Sequence, residues 1–483
     1  MIPPRDLIID RHGAAPVYRQ IYDQFRAALA AGTLKPGDRV PSARGLASRL
    51  GAARGTVEEA YQLLASEGYL TRRGQAGTVV SPELPALRGT AIPPIRAPAH
   101  STAPITAPTA AAGSFALGVP AFDAFPRKLW ARISSSEGRR LGEVDLAHPD
   151  PAGHPDLRLA IAQYLALARG IACDWQDVVV TSGYQGALAV LLPLLLREGD
   201  RVLLEDPGYL PARHAVAASP GRIVPVAVDD AGMRVAEGIA AAPDARLAIV
   251  TPSHHSPTGT TLALPRRLAL LAWAAANDTW IIEDDYDGEF HYTGRLLPAL
   301  KSLDGGQHVI YVGTFSKTLF PALRLGYMVL PERLRARVRS AMAVHGAGQA
   351  TMAQRIVARF MREGHFAKHL RRMRTLYRAR RQALTEGLHA IFADTLDIAP
   401  RDGGMHIIAH IKGGTPDIAW AEAARRHGIT VQALSRHAIG PGRHNALVLG
   451  FTNMPAEHAL ARCRELREAV GALAGGDTHP HEW

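Results

Sequence analysis

In the stretch Gly313-Thr314-Phe315-Ser316-Lys317-Thr318-Leu319-Phe320-Pro321-Ala322-Leu323-Arg324-Leu325-Gly326-Tyr327, one amine stands between two hydroxyls and seven residues before an arginine. A lysine amine can attach an aldehyde as an imine, and a fixed guanidinium can take a phosphate with two parallel hydrogen bonds. Ser316-Lys317-Thr318 alone is a weak signal because surface lysines are common. The whole stretch through Arg324 and Tyr327 is a strong one.

Three further segments supply what such an adduct needs. Thr181-Ser182-Gly183-Tyr184-Gln185-Gly186 leads from a strand into a helix, so its backbone N–H groups and the Ser182 hydroxyl suit a phosphate at the positive helix end. Glu283-Asp284-Asp285-Tyr286-Asp287 closes another strand with more acids than a bland core holds. Asp284 suits a protonated ring nitrogen and Tyr286 a phenolic oxygen, while Asp285 and Asp287 are expected to be solvated or helix-capping. Glu205-Asp206-Pro207-Gly208-Tyr209 brings a ring that can stack. Each has a plainer alternative: glycine punctuation at Gly183, ordinary packing for Tyr209. Taken together, these groups fit pyridoxal phosphate. The pair His254-His255 lacks a third partner at metal-ligand spacing, so no metal site is expected, and the pair should line the pocket or be solvated.

Strand ends must bring these groups together. Apolar, β-branched runs at Val178 to Thr181, Val202 to Glu205, Leu247 to Thr251, Trp280 to Asp284 and Val309 to Gly313 alternate with helical stretches between about residue 115 and residue 475. That alternation predicts an α/β fold with a mainly parallel sheet covered by helices, whose ligands sit at the carboxyl ends of the strands. Residues 476–483 form a tail.

Residues 1–80 are of another kind. Val17, Ile21, Phe25 and Leu29 recur every four residues before Gly32; Ser42 can cap a short helix through Leu50; Val57, Ala60, Tyr61 and Leu64 mark one face of a helix from Arg54 to Glu67. Two β-prone pieces, Tyr69 to Arg72 and Thr78 to Val80, flank a glycine-bearing turn. Three helices and a hairpin make a winged helix-turn-helix. Residues 81–114, with seven prolines among Ala, Thr and Ser, cannot bury a core and read as a linker.

The chain has 483 residues and a formal net charge of +11, consistent with an anionic partner. Fourteen basic residues against the single acid Glu363 lie between Arg333 and Arg381, either a solvated helical face or subunit interface, or a second DNA-contacting surface. Two cysteines exclude a disulfide framework or four-cysteine zinc site. Apolar runs are too short to span a bilayer and no secretory signal is evident, which points to the cytoplasm.

Pro16-Val17-Tyr18-Arg19-Gln20-Ile21, Gly37-Asp38-Arg39-Val40-Pro41-Ser42-Ala43-Arg44, Arg54-Gly55-Thr56-Val57 and Glu67-Gly68-Tyr69-Leu70 resemble GntR-type winged-helix regulators over about 65 residues. The resemblance implies that a helix starting at Arg54 enters the major groove of a double-stranded DNA operator. There arginine can bond guanine and Thr56 a phosphate or base edge; Arg44 suits a phosphate or base, and Arg72 and Arg73 the minor groove or backbone. Ala53 stands where such proteins usually have a capping serine.

The segments around Lys317, together with Pro257-Thr258-Gly259 and Asp150-Pro151-Ala152-Gly153-His154-Pro155, resemble fold type I aminotransferases. A GntR-type head on that body resembles the MocR subfamily of bacterial regulators. The resemblance implies a smaller C-terminal α+β subdomain, a Schiff-base role for Lys317, ring-nitrogen contact by Asp284, phenolic contact by Tyr286 and ring stacking by Tyr209. It also implies phosphate contacts from Ser182, Gly183, Ser316 and Arg324, a cofactor contact from Tyr184, and a head-to-tail homodimer. Two positions depart from working enzymes. Ser256 occupies the place of a cofactor-bonding asparagine, and Val448 that of the arginine that clamps a substrate carboxylate; Arg213, Arg436 and Arg443 are candidate replacements.

Three functions follow as alternatives: a regulator that senses a small amine or amino acid through pyridoxal phosphate, an aminotransferase with an attached DNA-binding domain, or a regulator that senses pyridoxal phosphate itself. The two departures weigh against efficient turnover.

Overall fold

The structure, a computed structural model, describes residues 7–11, 13, 15–74, 77–83, 115–293, 298–344, 348–398, 401–440, 442 and 444–474. The chain divides into two compact units, residues 1–107 and 108–483. Of the expected linker 81–114, residues 84–114 lie outside the described residues, as does the tail 476–483.

In the first unit, α1 (Val17–Ala30), α2 (Ala43–Leu50) and α3 (Arg54–Ser66) precede a hairpin of β1 (Leu70–Arg72) and β2 (Thr78–Val80), with Leu70 opposite Val80. The four-residue apolar spacing of α1 buries Ile21, Phe25 and Leu29, and the Phe25 ring meets Tyr61 of α3 edge-on at 5.5 Å. Ser42 Oγ accepts the Gly45 N–H at 3.1 Å, which starts α2; Gly51, at φ +58°, ends it. The Ala53 start of α3 has no side-chain cap. These elements are the winged helix-turn-helix read from the sequence.

The second unit is built on an eight-stranded sheet. Its strands are β3 (Val178–Thr181), β4 (Arg201–Asp206), β5 (Arg222–Asp229), β6 (Gly232–Met233), β7 (Leu247–Val250), β8 (Trp280–Asp285), β9 (Val309–Thr314) and β10 (Gly326–Val329), in the order β3-β10-β9-β8-β7-β4-β5-β6. Strands β4, β5, β7, β8 and β9 pair in parallel, and β10 runs antiparallel between β9 and β3, so β3 shares their direction. Burial on both faces explains why β3 and β7 are apolar without alternation. Pro225, which has no N–H to donate, lies in β5, near the edge of the sheet.

A second, antiparallel sheet in the order β11-β12-β14-β13 comprises β11 (Leu396–Ile398), β12 (His406–Ile411), β13 (Gln432–Ala433) and β14 (Ala446–Gly450). The buried face of the long helix His365–Phe392 packs into one core with this sheet and with buried residues of the helix Ala459–Ala474.

Strand β10 was not among the strands expected, yet it sets the loop that carries Lys317. Phe315 N–H bonds Leu325 O at 3.1 Å, closing that loop across the β9–β10 turn. A Cβ on Gly326 would lie 2.7 Å from Gly183 Cα and 2.9 Å from Gly313 O, both backbone atoms that cannot swing aside. Gly326→Ala should therefore cost about 1–3 kcal/mol in denaturant unfolding of the larger unit; an unchanged midpoint and slope would show that the strands part without penalty.

Candidate cofactor and nucleic-acid sites

The carboxyl ends of β3, β4, β7, β8 and β9 converge, and the expected groups meet there. After β9, the Ser316 N–H bonds Thr314 Oγ1 at 3.1 Å, and the Lys317 side chain runs into the protein so that Nζ donates to Gly118 O at 3.0 Å. Gly118 sits at φ +64°, and a Cβ there would fall 2.4 Å from Nζ. Burial pulls the Lys317 pKa below the ordinary lysine value, opposed by the carboxylates of Asp287 and then Asp284. Arg324 is held at φ +51° in the left-handed region, exposed and without a hydrogen bond or ion pair from its side chain among the described residues. It therefore keeps its cation free.

Gly183, at φ +93°, caps the helix Tyr184–Leu195 and turns its first N–H groups outward. A Cβ on Gly186 would meet Ser182 Oγ at 2.1 Å, so that hydroxyl lies against the helix start. The Tyr184 ring lies 5.8 Å from the Tyr209 ring at 56°. The Tyr184 hydroxyl is buried without a hydrogen-bond partner; burial and then Asp284 raise its pKa. Burial, then Asp284, push Tyr209 up to about 12.

The acids after β8 divide by role. Glu283 accepts the N–H groups of Leu300 and Lys301, both at 2.8 Å, and burial pushes it up to about 7. Asp284 is buried, and burial followed by Asp285 and Asp287 raises its pKa well above the carboxylate range. Tyr286 Oη is buried and unpaired.

Asp285 and Asp287 are not solvated or helix-capping, as expected, but 4% and 1% exposed. Arg169 reaches Asp285 Oδ2 at 2.6 Å and Tyr311 donates to the same oxygen at 2.6 Å, which makes the burial tolerable. Asp287 Oδ1 lies 3.2 Å from His254 Nδ1. His254 and His255 are likewise buried rather than solvated. His255 Nδ1 meets Thr258 Oγ1 at 2.7 Å, and burial, reinforced by His406 and His437, drives its pKa down to about 3. Gly118, Arg169 and the pairing of His254 with Asp287 escaped the sequence reading, because each depends on contact between distant parts of the chain.

On the remaining side, Val448 is fully buried with Ile408, Leu434 and Ala446, and Leu117 packs against them. Arg213 donates to Ala438 O at 3.1 Å, exposed Arg436 pairs with Glu422 at 3.7 Å, and Arg443 lies outside the described residues. Neither described arginine is left free to replace a clamp at Val448. Among the described residues, no three metal-ligating side chains group together and no helix is long and apolar enough to cross a membrane.

In the smaller unit, Arg44, Arg72 and Arg73 are exposed, and Arg54 projects from the first turn of α3 with its Nε on Glu58 at 2.8 Å. Thr56, two residues after Arg54 in α3, is half-buried. Exposed Arg39, bridged by backbone to Val79 of the wing, was not singled out in the sequence. The basic run of the larger unit is largely occupied. Arg333, Arg335, Arg339, Arg355, Arg359, Arg362 and Arg380 are ion-paired, while Arg337, Arg374 and Arg378 donate to backbone carbonyls. This pairing engages ten of the fourteen basic residues, while Lys368, Arg371 and Arg372 are exposed.

Comparison with known proteins agrees with the geometry. Residues 17–80 match the family model of bacterial regulatory proteins of the gntR family, and residues 119–450 that of aminotransferase class I and II. The chain is 35% identical to a probable rhizopine catabolism regulatory protein, MocR, of Rhizobium meliloti, over 98% of each chain. It is 30% identical to the HTH-type pyridoxine biosynthesis transcriptional regulator PdxR of Corynebacterium glutamicum, over 97% of this chain and 99% of that one. A crystal structure of Pyrococcus horikoshii kynurenine aminotransferase in complex with PMP superimposes with a TM-score of 0.69 at 27% identity, covering 75% of this chain and 91% of that one.

Arg54 is the cation best placed at the start of α3. Arg54→Ala should weaken binding by about 1–3 kcal/mol on the preferred sequence and relax discrimination at one base pair. Equal losses on all DNA sequences in a binding assay would instead make Arg54 a phosphate contact.

Proposed function

The chain belongs to the MocR-type regulators of the gntR family, DNA-binding transcriptional regulators with an aminotransferase-like body, and we propose that it senses a small amine or amino acid through pyridoxal phosphate held at Lys317. The observation that carries this reading is the half-buried Lys317 side chain, its amine 3.0 Å from Gly118 O, in a site that also holds Asp284 and the unpaired Tyr286 hydroxyl. The orphaned Tyr184 and Tyr286 hydroxyls, with buried Asp284 and the free Arg324 cation, fit a polar aromatic ligand with a phosphate. Lys317 is the attachment point, Asp284 holds the ring nitrogen's proton, Tyr286 bonds the phenolic oxygen and Tyr209 covers the ring. Ser182, the N–H groups following Gly183 at the start of the Tyr184 helix, Ser316 and the free Arg324 bind the phosphate. When bound, the cofactor supplies an aldehyde carbon that an incoming primary amine can take over from Lys317.

An amine that displaces Lys317 releases a buried cationic side chain and changes the contacts of Gly118. Only such a difference in contacts between two states can shift a regulator's equilibrium. The protein acts in the cytoplasm as a head-to-tail homodimer. The apolar surroundings of Val448 and the small Ser256 support sensing over turnover, since both Arg213 and Arg436 are engaged elsewhere. The likeness to a regulator named for pyridoxine biosynthesis favours a second reading, in which cofactor occupancy is itself the signal.

The visible spectrum separates these readings. Purified protein should show an absorbance band with pyridoxal phosphate that shifts on adding an effector amine, without continuing release of keto product. Steady keto product would make it an aminotransferase; operator affinity that answers to cofactor alone would support the second reading; no band would remove the cofactor from the account.

A further inference from the structure

The smaller unit carries an arm that has no role in the reading above. Residues 7–11 precede α1 and are strapped to it by two glutamines one turn apart. Gln24 Oε1 accepts the Ile8 N–H at 3.0 Å while its Nε2 donates to Ile8 O at 2.7 Å. Gln20 does the same for Asp10, at 2.9 and 2.8 Å, and also donates to Ala15 O at 2.7 Å. Each side-chain amide thus pairs with a residue's backbone as a neighbouring strand would. Leu7 and Ile9 pack against the core of the three helices, whereas Ile8 is exposed.

The arm delivers Arg11 to one place. Its Nη2 donates to Gly51 O at 2.6 Å and to Leu50 O at 3.4 Å, at the end of α2. Gly51 is held at φ +58°, and a Cβ on it would lie 2.9 Å from that nitrogen. Bonds to the last carbonyls of a helix make a cap, but a neutral donor would cap as well, and the Arg11 side chain is exposed, so its charge stays in water. Three residues after Gly51, Arg54 opens α3, whose Ala53 start is exposed and has no side-chain cap. The first N–H groups of α3 and the Arg11 guanidinium therefore stand at the same end of that helix, at most about 11 Å apart along the chain from Gly51. Both kinds of donor bind anions, and the anion met at the start of a groove-reading helix is a backbone phosphate. We propose that Arg11 is a DNA-phosphate contact: the arm, held to α1 by Gln20 and Gln24, brings its guanidinium beside the uncapped start of α3, where it meets a phosphate of the strand bordering the groove. The contact adds affinity and register and carries no sequence information. It rests on the reading of α3 as the helix that enters the major groove.

The test uses the full chain and two probes, a duplex that the wild-type protein selects from a random-sequence pool and a duplex of unrelated sequence, each titrated by fluorescence anisotropy across salt concentrations. Loss of one phosphate contact makes the slope of log affinity against log salt shallower by about 0.9. Arg11→Ala should show that loss on both duplexes and weaken them by equal factors, so that discrimination between them keeps its wild-type value. Arg11→Gln, which keeps a donor for Gly51 O but no charge, should lose the same slope, and Arg11→Lys should keep it. Gln20→Ala, which alters no charge, should lose slope as the arm comes away from α1. A wild-type slope in Arg11→Ala overturns the proposal whatever the affinity, and reduces Arg11 to a cap of α2; a wild-type slope in Arg11→Gln overturns it equally. Wild-type affinity and discrimination in Arg54→Ala would instead remove α3 from the groove, and the slope of Arg11→Ala still decides the part played by the arm.

Discussion

Burial of a lysine amine among carboxylates at the ends of parallel strands is the constraint on which the larger unit depends. Removing one charge from water costs several kcal/mol, and burying several acids beside it multiplies that cost unless the charges are matched. Lys317 meets Gly118 O and lies in the field of Asp287 and Asp284. Asp285, next in the chain, is matched separately by Arg169 and Tyr311. Glu205 accepts both the N–H and hydroxyl of Thr251 and is pushed by burial up to about 7. The site is thus a set of local pairings, each supplied by a different strand end, and the sheet exists in this order to bring them together.

That dependence explains the glycines at the centre. Gly118, Gly183 and Gly326 each occupy a point where a Cβ would strike Lys317 or strain or crowd the backbone of the turn after β3. Side-chain chemistry sets what the site can bind, but these three positions set whether the strands approach closely enough to present it.

Much of this was legible in the sequence, because Lys317, Asp284, Tyr286 and Tyr209 each follow an apolar β-branched run and Ser182-Gly183 precedes a helical one. The winged helix was equally legible from four-residue periodicity and capping residues. What was hidden depends on long-range contact. Gly118 is 199 residues from the amine it receives, and Arg169 is more than a hundred residues from Asp285. The burial of Asp285 and Asp287 could not be read from an acidic run that looks solvated. Half of the basic residues of the Arg333 to Arg381 segment pair with acids between Asp123 and Asp278, which emerges only when the chain is folded. Strand β10 and the small sheet were not read from the sequence, although β10, β12 and β14 are as long as strands that were.

The central claim is that an amine signal enters through Lys317 and leaves through DNA. The most direct measurement is operator affinity of Lys317→Ala beside wild type, each with pyridoxal phosphate and with each amine that shifts the wild-type band. The account predicts that the variant keeps basal DNA binding, because Lys317 lies in the other unit from α3, and loses the response to amines. An amine response of wild-type size in Lys317→Ala would contradict it.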